Sequence, residues 1–263
     1  MKITSPANPR IKSLIRLGKK NERLRTGLMA VEGIREISRA AAAGVVFREA
    51  YHCPDIASGR EERELLASLG TAGAELIEVS AAVFGKLAYR EGTGGIVAVA
   101  ARAEHSLGEL EPGERPLIIV IDHLEKPGNL GAVFRSADGS GADAVIVSDP
   151  SAELSNPNVI RASLGTVFTV PSAVAPAAEV IGWLRERGIT IVAAAPGGCT
   201  EWFDADLASP CAIVVGSEDR GLGDEWLKAA GVRVTIPMRG AADSLNASAT
   251  AAILLYEALR QRK

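Results

Sequence analysis

At 263 residues, 47% hydrophobic and 23% charged, the chain can bury one large core or two modest ones. No apolar run approaches the roughly 18 residues that a membrane helix needs, Met1–Pro6 lacks the apolar centre of a signal peptide, and Cys53, Cys199 and Cys211 form an odd trio without CxxC spacing. The expectation is a cytoplasmic protein with reduced thiols and no membrane contact.

The net charge of −3 argues against a nucleic-acid partner, but its distribution matters more than its sum. Residues 1–25 hold eight basic side chains against Glu22 alone. The spacing predicts one helix from Asn8 to Arg25, with Ile11, Leu14, Ile15 and Leu17 as its apolar stripe. Its other side then carries Arg10, Lys12, Arg16, Lys19 and Lys20, a basic arm able to contact RNA phosphates on an otherwise acidic body. A solvated amphipathic helix is the bland alternative. Strands are predicted at 28–31, 45–53, 76–79 and 95–101, with helices from Ile34 to Gly44, over 61–69 and over 81–87. This alternation predicts a small α/β domain over residues 1–102.

Residues 103–116 are polar and include Gly108, Pro112, Gly113 and Pro116, which reads as a linker. From Leu117 the pattern is strand, loop and helix, repeated to the end of the chain. Strands are predicted at 117–121, 144–147, 167–170, 189–194, 212–215 and 232–236, and helices at 128–140, 158–164 and 177–187. Continuous apolar strands of this kind suit a parallel sheet covered on both faces. A closing helix opens at Ser244-Leu245-Asn246, where either polar residue can supply the N-cap. No G-x-G-x-x-G follows a strand and no phosphate-binding G-x-x-x-x-G-K-[ST] is present, so NAD binding and nucleotide hydrolysis lack their usual support. His52, His105 and His123 are scattered, and no metal site is expected from them.

Three short stretches stand in order in the second half: Asp122-His123-Leu124-Glu125-Lys126-Pro127-Gly128-Asn129-Leu130-Gly131-Ala132-Val133-Phe134-Arg135-Ser136-Ala137, then Gly216-Ser217-Glu218-Asp219-Arg220-Gly221-Leu222, then Ile236-Pro237-Met238 with Ser244-Leu245-Asn246. The ordered set resembles the SpoU (TrmH-type) branch of the SPOUT RNA methyltransferases, specifically over about residues 116–260 and loosely over 5–100. Glu32-Gly33 and Gly94-Gly95-Ile96-Val97-Ala98-Val99 look like segments of the substrate-binding domain that accompanies many members, although the family often has Gln where Gly94 stands.

The resemblance implies an α/β fold whose C-terminal domain, residues 117–263, is a SPOUT-type parallel sheet with a trefoil knot, an arrangement too rare to infer from pattern. It implies S-adenosylmethionine as cofactor, held by Ala195, Gly197, Gly216, Ile236, Met238 and Leu245. It further implies a catalytic set of Asn129, Arg135, Glu218, Ser244 and Asn246; Asp219 and Arg220 are read as surface residues of the same loop. Arg135 is proposed in the family as a base, yet arginine normally keeps its proton. Anchoring a phosphate and stabilising the forming alkoxide is the physically easier role. The expected activity is 2′-O-ribose methylation of ribosomal RNA by a homodimer joined through the C-terminal domain. Transfer RNA is the alternative substrate, and a noncatalytic RNA-binding assembly factor is the rival from another class.

Overall fold

The structure, a computed structural model, describes residues 2–88, 94–103, 105–150, 152–217 and 219–263. The chain divides into two compact units, Met1–Ala103 with Glu153–Thr169, and Glu104–Ala152 with Val170–Lys263. Among the described residues no helix is long and apolar enough to cross a membrane.

The first unit begins with β1 (Lys2–Ile3), α1 (Pro9–Arg16), α2 (Lys20–Thr26), β2 (Leu28–Glu32), α3 (Ile34–Ala42) and β3 (Phe47–His52). It continues through α4 (Arg60–Thr71), β4 (Glu75–Val79), α5 (Ala81–Leu87) and β5 (Ile96–Ala101). The strands form one sheet in the order β1-β4-β3-β5-β2, with β5 antiparallel to both β2 and β3. Ile11, Leu14 and Leu17 pack on one face of it with Tyr51, Val97 and Val99.

The single helix predicted from Asn8 to Arg25 is two. Asn8 caps α1, its side chain accepting from Arg10 N at 2.9 Å, and the chain turns at Leu17-Gly18. The break has an identifiable cause. Arg23, one of the eight basic residues of 1–25 expected to be solvated, is instead 1% exposed and donates to the carbonyls of Leu17 and Gly18 at 2.9 and 3.0 Å. Those are the carbonyls that a helix end leaves without intrahelical donors. Ile15, expected in the apolar stripe, is left exposed.

The second unit opens with β6 (Leu117–Asp122), α6 (Pro127–Ser140) and β7 (Ala144–Ser148). The chain then departs from the predicted division. Residues 153–169, which carry α7 (Pro157–Ala162), belong to the first unit, where α7 lies against β2. Glu153 meets Arg23 at 2.5 Å, and Arg39 donates to Leu164 O at 2.6 Å. A second correction lies here: the strand predicted at 167–170 is a 3-10 turn over Thr166–Phe168, and the strand comes later as β8 (Ser172–Ala175). Val167-Phe168-Thr169-Val170 is too short to carry a period of its own, and tertiary packing chose the turn.

The remaining elements are α8 (Ala177–Glu186), β9 (Thr190–Ala194), β10 (Thr200–Glu201), β11 (Cys211–Val215), α9 (Asp224–Ala229), β12 (Val232–Thr235) and α10 (Ala247–Gln261). Seven strands make one sheet, β10-β12-β9-β11-β6-β7-β8, and every pairing is parallel. As the continuous apolar runs predict, β6, β7 and β11 are buried along their whole length. The last helix packs on α6 and β11, and Arg262 fastens its end to the carbonyls of Arg115, Pro116 and Ser209 at 2.6, 3.1 and 2.8 Å.

Candidate active site

In the second unit β11 and β12 flank β9, with Ala194 level with both Val215 and Val234. Their C-terminal ends therefore emerge side by side, at the edge where parallel α/β sheets bind ligands. The loops that follow enclose a cavity of about 600 Å³. Ala195 and Gly197 enter from the loop after β9, Gly216 from the loop after β11, and Ile236, Met238, Ser244 and Leu245 from the segment between β12 and α10; all of them line it.

Gly216 is there because nothing larger fits. A Cβ at this position would come within 2.2 Å of the backbone C and O of Gly221, since the loop doubles back with Gly221 N donating to Ser217 O at 2.9 Å. Gly198 is similarly confined: its Cβ would meet Arg233 O at 2.8 Å. The cavity wall is thus built largely of closely approaching backbone, with Ile236 and Leu245 as apolar patches. Sequence reasoning missed Arg220 and Asp243, which bring one charge of each sign to the lining. Arg220 is exposed, as expected of a surface residue, and also faces the cavity. Its place beside Gly221, in a loop this tight, was the available signal.

Asn246 caps α10, its Oδ1 accepting from Ser248 N at 2.9 Å. Its Nδ2 donates to Asn129 Oδ1 at 3.3 Å, so two residues 117 positions apart meet at the facing ends of α6 and α10. Ser244 is exposed at the cavity. Arg135 lies six residues beyond Asn129 on α6, about 9 Å along the axis and on another side of the helix. It is exposed, with no partner among the described residues. Glu218 lies outside the described residues.

Asp122 was also missed as a positioning group. Buried at the end of β6, it accepts from Ser148 Oγ at 3.0 Å, pairs with His123 Nδ1 at 3.0 Å and faces Gly223 N at 3.5 Å. It thereby joins the first motif to β7 and to the end of the second motif's loop. Asp122, His123 and Asp149 bring ligand-type atoms within 4.8 Å of one another. Hydrogen bonds account for the grouping, because Asp149 accepts from Ala177 N at 3.1 Å and Asp122 is engaged as described.

In the first unit, the basic arm is less free than its sequence suggests. Arg10 pairs with Glu75 at 2.6 Å and Glu49 at 3.2 Å. The hydrogen bond to Arg10 holds the Glu75 carboxyl below its ordinary range. Arg16 donates to Ser13 Oγ at 3.0 Å and lies 3.6 Å from Glu22. Lys20 also has a partner. Lys12 and Lys19 are exposed; Lys12 has none among the described residues, while Lys19 acts on the Glu22 carboxylate through its charge.

A profile described as the SpoU rRNA methylase family matches residues 116–256. The chain belongs to the SpoU rRNA methylase family. The match spans all three motifs and the whole cavity lining. A second profile, the MRM3-like substrate binding domain, matches residues 8–98. This SpoU chain is 33% identical over 253 residues, 94% of its own length and 87% of the relative's, to a 23S rRNA (uridine(2479)-2′-O)-methyltransferase of Streptomyces viridochromogenes. It is similar to the crystal structure of an RNA 2′-O ribose methyltransferase, with 45% identity and a TM-score of 0.87 over 100% of this chain and 99% of that one. It is also similar to the SpoU methyltransferase AviRb of Streptomyces viridochromogenes in complex with AdoMet, with 32% identity and a TM-score of 0.89 over 97% and 98% of the two chains.

Proposed function

We propose that this chain transfers a methyl group from S-adenosylmethionine to a ribose 2′-hydroxyl of ribosomal RNA. The observation that carries the reading is the cavity of about 600 Å³ whose lining draws on the second and third motifs, beside the Asn129–Asn246 contact that draws on the first. The cavity suits the cofactor in size. Backbone of the 195–197 and 236–238 loops can recognise adenine, Ile236 and Leu245 can cover its faces, and Arg220 and Asp243 match the two charges of an amino-acid end.

When bound, the cofactor's sulfonium supplies an electrophilic methyl group. The chain's own contribution is position and charge. Asn129 and Asn246 present neutral donors and acceptors that orient the ribose, with Ser244 beside them. Arg135 grips a neighbouring RNA phosphate and stabilises negative charge as the 2′-oxygen bonds to the methyl and gives its proton to that phosphate or to water; the guanidinium itself stays protonated and serves poorly as a base.

The knot and the dimer belong to the same proposal. Support for the knot is the strand order, since β12 lies outside β9 yet the chain then returns to pack α10 on α6 and β11. Support for a dimer through this unit is the side of α10 that the fold leaves uncovered, where half-buried Ala252 and Ile253 adjoin Tyr256, 50% exposed. A sedimentation mass of one chain at micromolar concentration would refute the dimer. We also assign the protein to the cytoplasm, in keeping with three unpaired cysteines.

The deciding test incubates purified protein and methyl-labelled cofactor with ribosomal or transfer RNA, then maps 2′-O-methyl sites. Label in one ribosomal nucleotide is expected. Label confined to transfer RNA would move the substrate, and RNA binding without any transfer would make the chain an assembly factor.

A further inference from the structure

A second cavity, about 360 Å³, lies wholly within the first unit, where α1 and α2 overhang the face of the β2–β5–β3 sheet. Leu14, Leu17, Leu28 and Val99 give it an apolar floor, while Ser13, Glu22 and Arg25 stand at its rim. The methyl-transfer machinery makes no use of it, because every residue of that machinery belongs to the second unit. We propose that this cavity captures one unstacked nucleobase of the substrate RNA, preferring a base that carries an exocyclic amino group. The inference rests on the reading above only in taking RNA as the substrate.

Three observations converge. The first is shape and polarity: a slot with an apolar floor and a few polar groups at its mouth is what a flat, splayed-out base requires. At this volume, near the small end of ligand cavities, it suits one base better than a stacked run. The second is the charge around the mouth. Arg16 hydrogen-bonds to Ser13 at 3.0 Å, and its side chain stays 55% exposed. Arg25, likewise exposed, is held by Glu22 at 2.7 Å. Both guanidinium planes can stack on a base or grip the phosphates on either side of it. Lys12 and Lys19 add exposed ammonium groups from the same two-helix segment.

The third observation sets the preference. Glu22 and Glu49 both line the cavity, and an ionised carboxylate only accepts hydrogen bonds. Adenine, cytosine and guanine each offer a two-hydrogen exocyclic amino group to such acceptors, whereas uracil offers only its single ring N3–H. Glu49 is held in place by Tyr51, whose hydroxyl donates to it at 2.7 Å.

The test uses the full chain and four pentamers of equal charge: oligoadenylate, oligocytidylate, oligouridylate and an abasic ribose-phosphate pentamer. The wild-type protein should bind the adenylate and cytidylate roughly tenfold or more tightly than the abasic chain, with the uridylate between. Ser13→Trp, which fills the cavity from an exposed helix position, should reduce all three to the abasic affinity and leave the salt dependence unchanged. Glu22→Leu with Glu49→Leu, milder changes should the tryptophan disturb folding, should together erase the preference over uridylate. Equal binding of adenylate and abasic pentamers by the wild type would overturn the proposal. So would wild-type affinities in a folded Ser13→Trp protein, including the case in which that variant loses a protein partner instead. Methyl transfer is assayed in parallel. Base discrimination without transfer would sink the proposed reaction and leave this site standing; transfer without discrimination would do the reverse.

Discussion

The contact between Arg23 and Glu153 should make the placement of residues 153–169 measurable. Their side chains are 2% and 9% exposed and meet at 2.5 Å. Replacing Glu153 by Gln removes the compensating charge and leaves the guanidinium buried. Breaking a buried pair in this way costs about 3–5 kcal/mol. Two features of the structure argue for the lower end. Arg23 keeps its bonds to the Leu17 and Gly18 carbonyls, and Arg102, which reaches Glu153 at 3.4 Å, is 27% exposed and can turn to water. About 3 kcal/mol corresponds to more than a hundredfold in the opening equilibrium of the first unit. Fluorescence is the wrong probe, because Trp183, Trp202 and Trp226 all lie in the second unit. Hydrogen exchange followed by mass spectrometry should instead show lost protection in peptides covering α2, β2 and 153–169, with the second unit unchanged. Arg23→Met combined with Glu153→Leu should restore most of the protection, since well-packed apolar replacements of a buried pair are often neutral. A single variant within about 0.5 kcal/mol of wild type would refute the reasoning, and so would a double variant as unstable as the single.

Arg135→Ala should preserve cofactor binding and fold while methyl transfer falls by about a hundredfold or more, the usual cost of losing a donor at a developing oxyanion; wild-type turnover at saturating RNA and cofactor would remove it from the catalytic set. Arg135→Lys should recover part of the rate if charge matters most, because lysine keeps the cation and loses only the planar fork. Lys12→Glu with Lys19→Glu should weaken RNA binding and flatten its salt dependence, leaving cofactor affinity unchanged; an equal loss of both affinities would point to misfolding. Gly216→Ala should weaken cofactor binding roughly tenfold to a hundredfold by calorimetry, because the new methyl forces the 217–221 loop outward at a cost of about 1–3 kcal/mol.

Sequence alone determined most of the second unit. The apolar runs at 117–121, 144–147 and 212–215 suited doubly covered parallel strands, since a continuous hydrophobic run has no polar face to give to water. Ser244-Leu245-Asn246 announced a helix start, with either polar residue able to cap it. Tertiary structure decided what depends on partners far along the chain. It turned Arg23 from a solvated cation into a buried ion, because Glu153, 130 residues away, lay within reach. It broke the first helix at Leu17-Gly18, because that same guanidinium took the carbonyls. It gave residues 153–169 to the first unit and made a turn of Thr166–Phe168, since an apolar run specifies burial without saying against which surface. It also brought Arg220 into the cavity lining, where a loop's fold, and not its composition, sets which way it faces. Local pattern encodes what a segment must bury; only the assembled fold supplies the charge or surface that it meets.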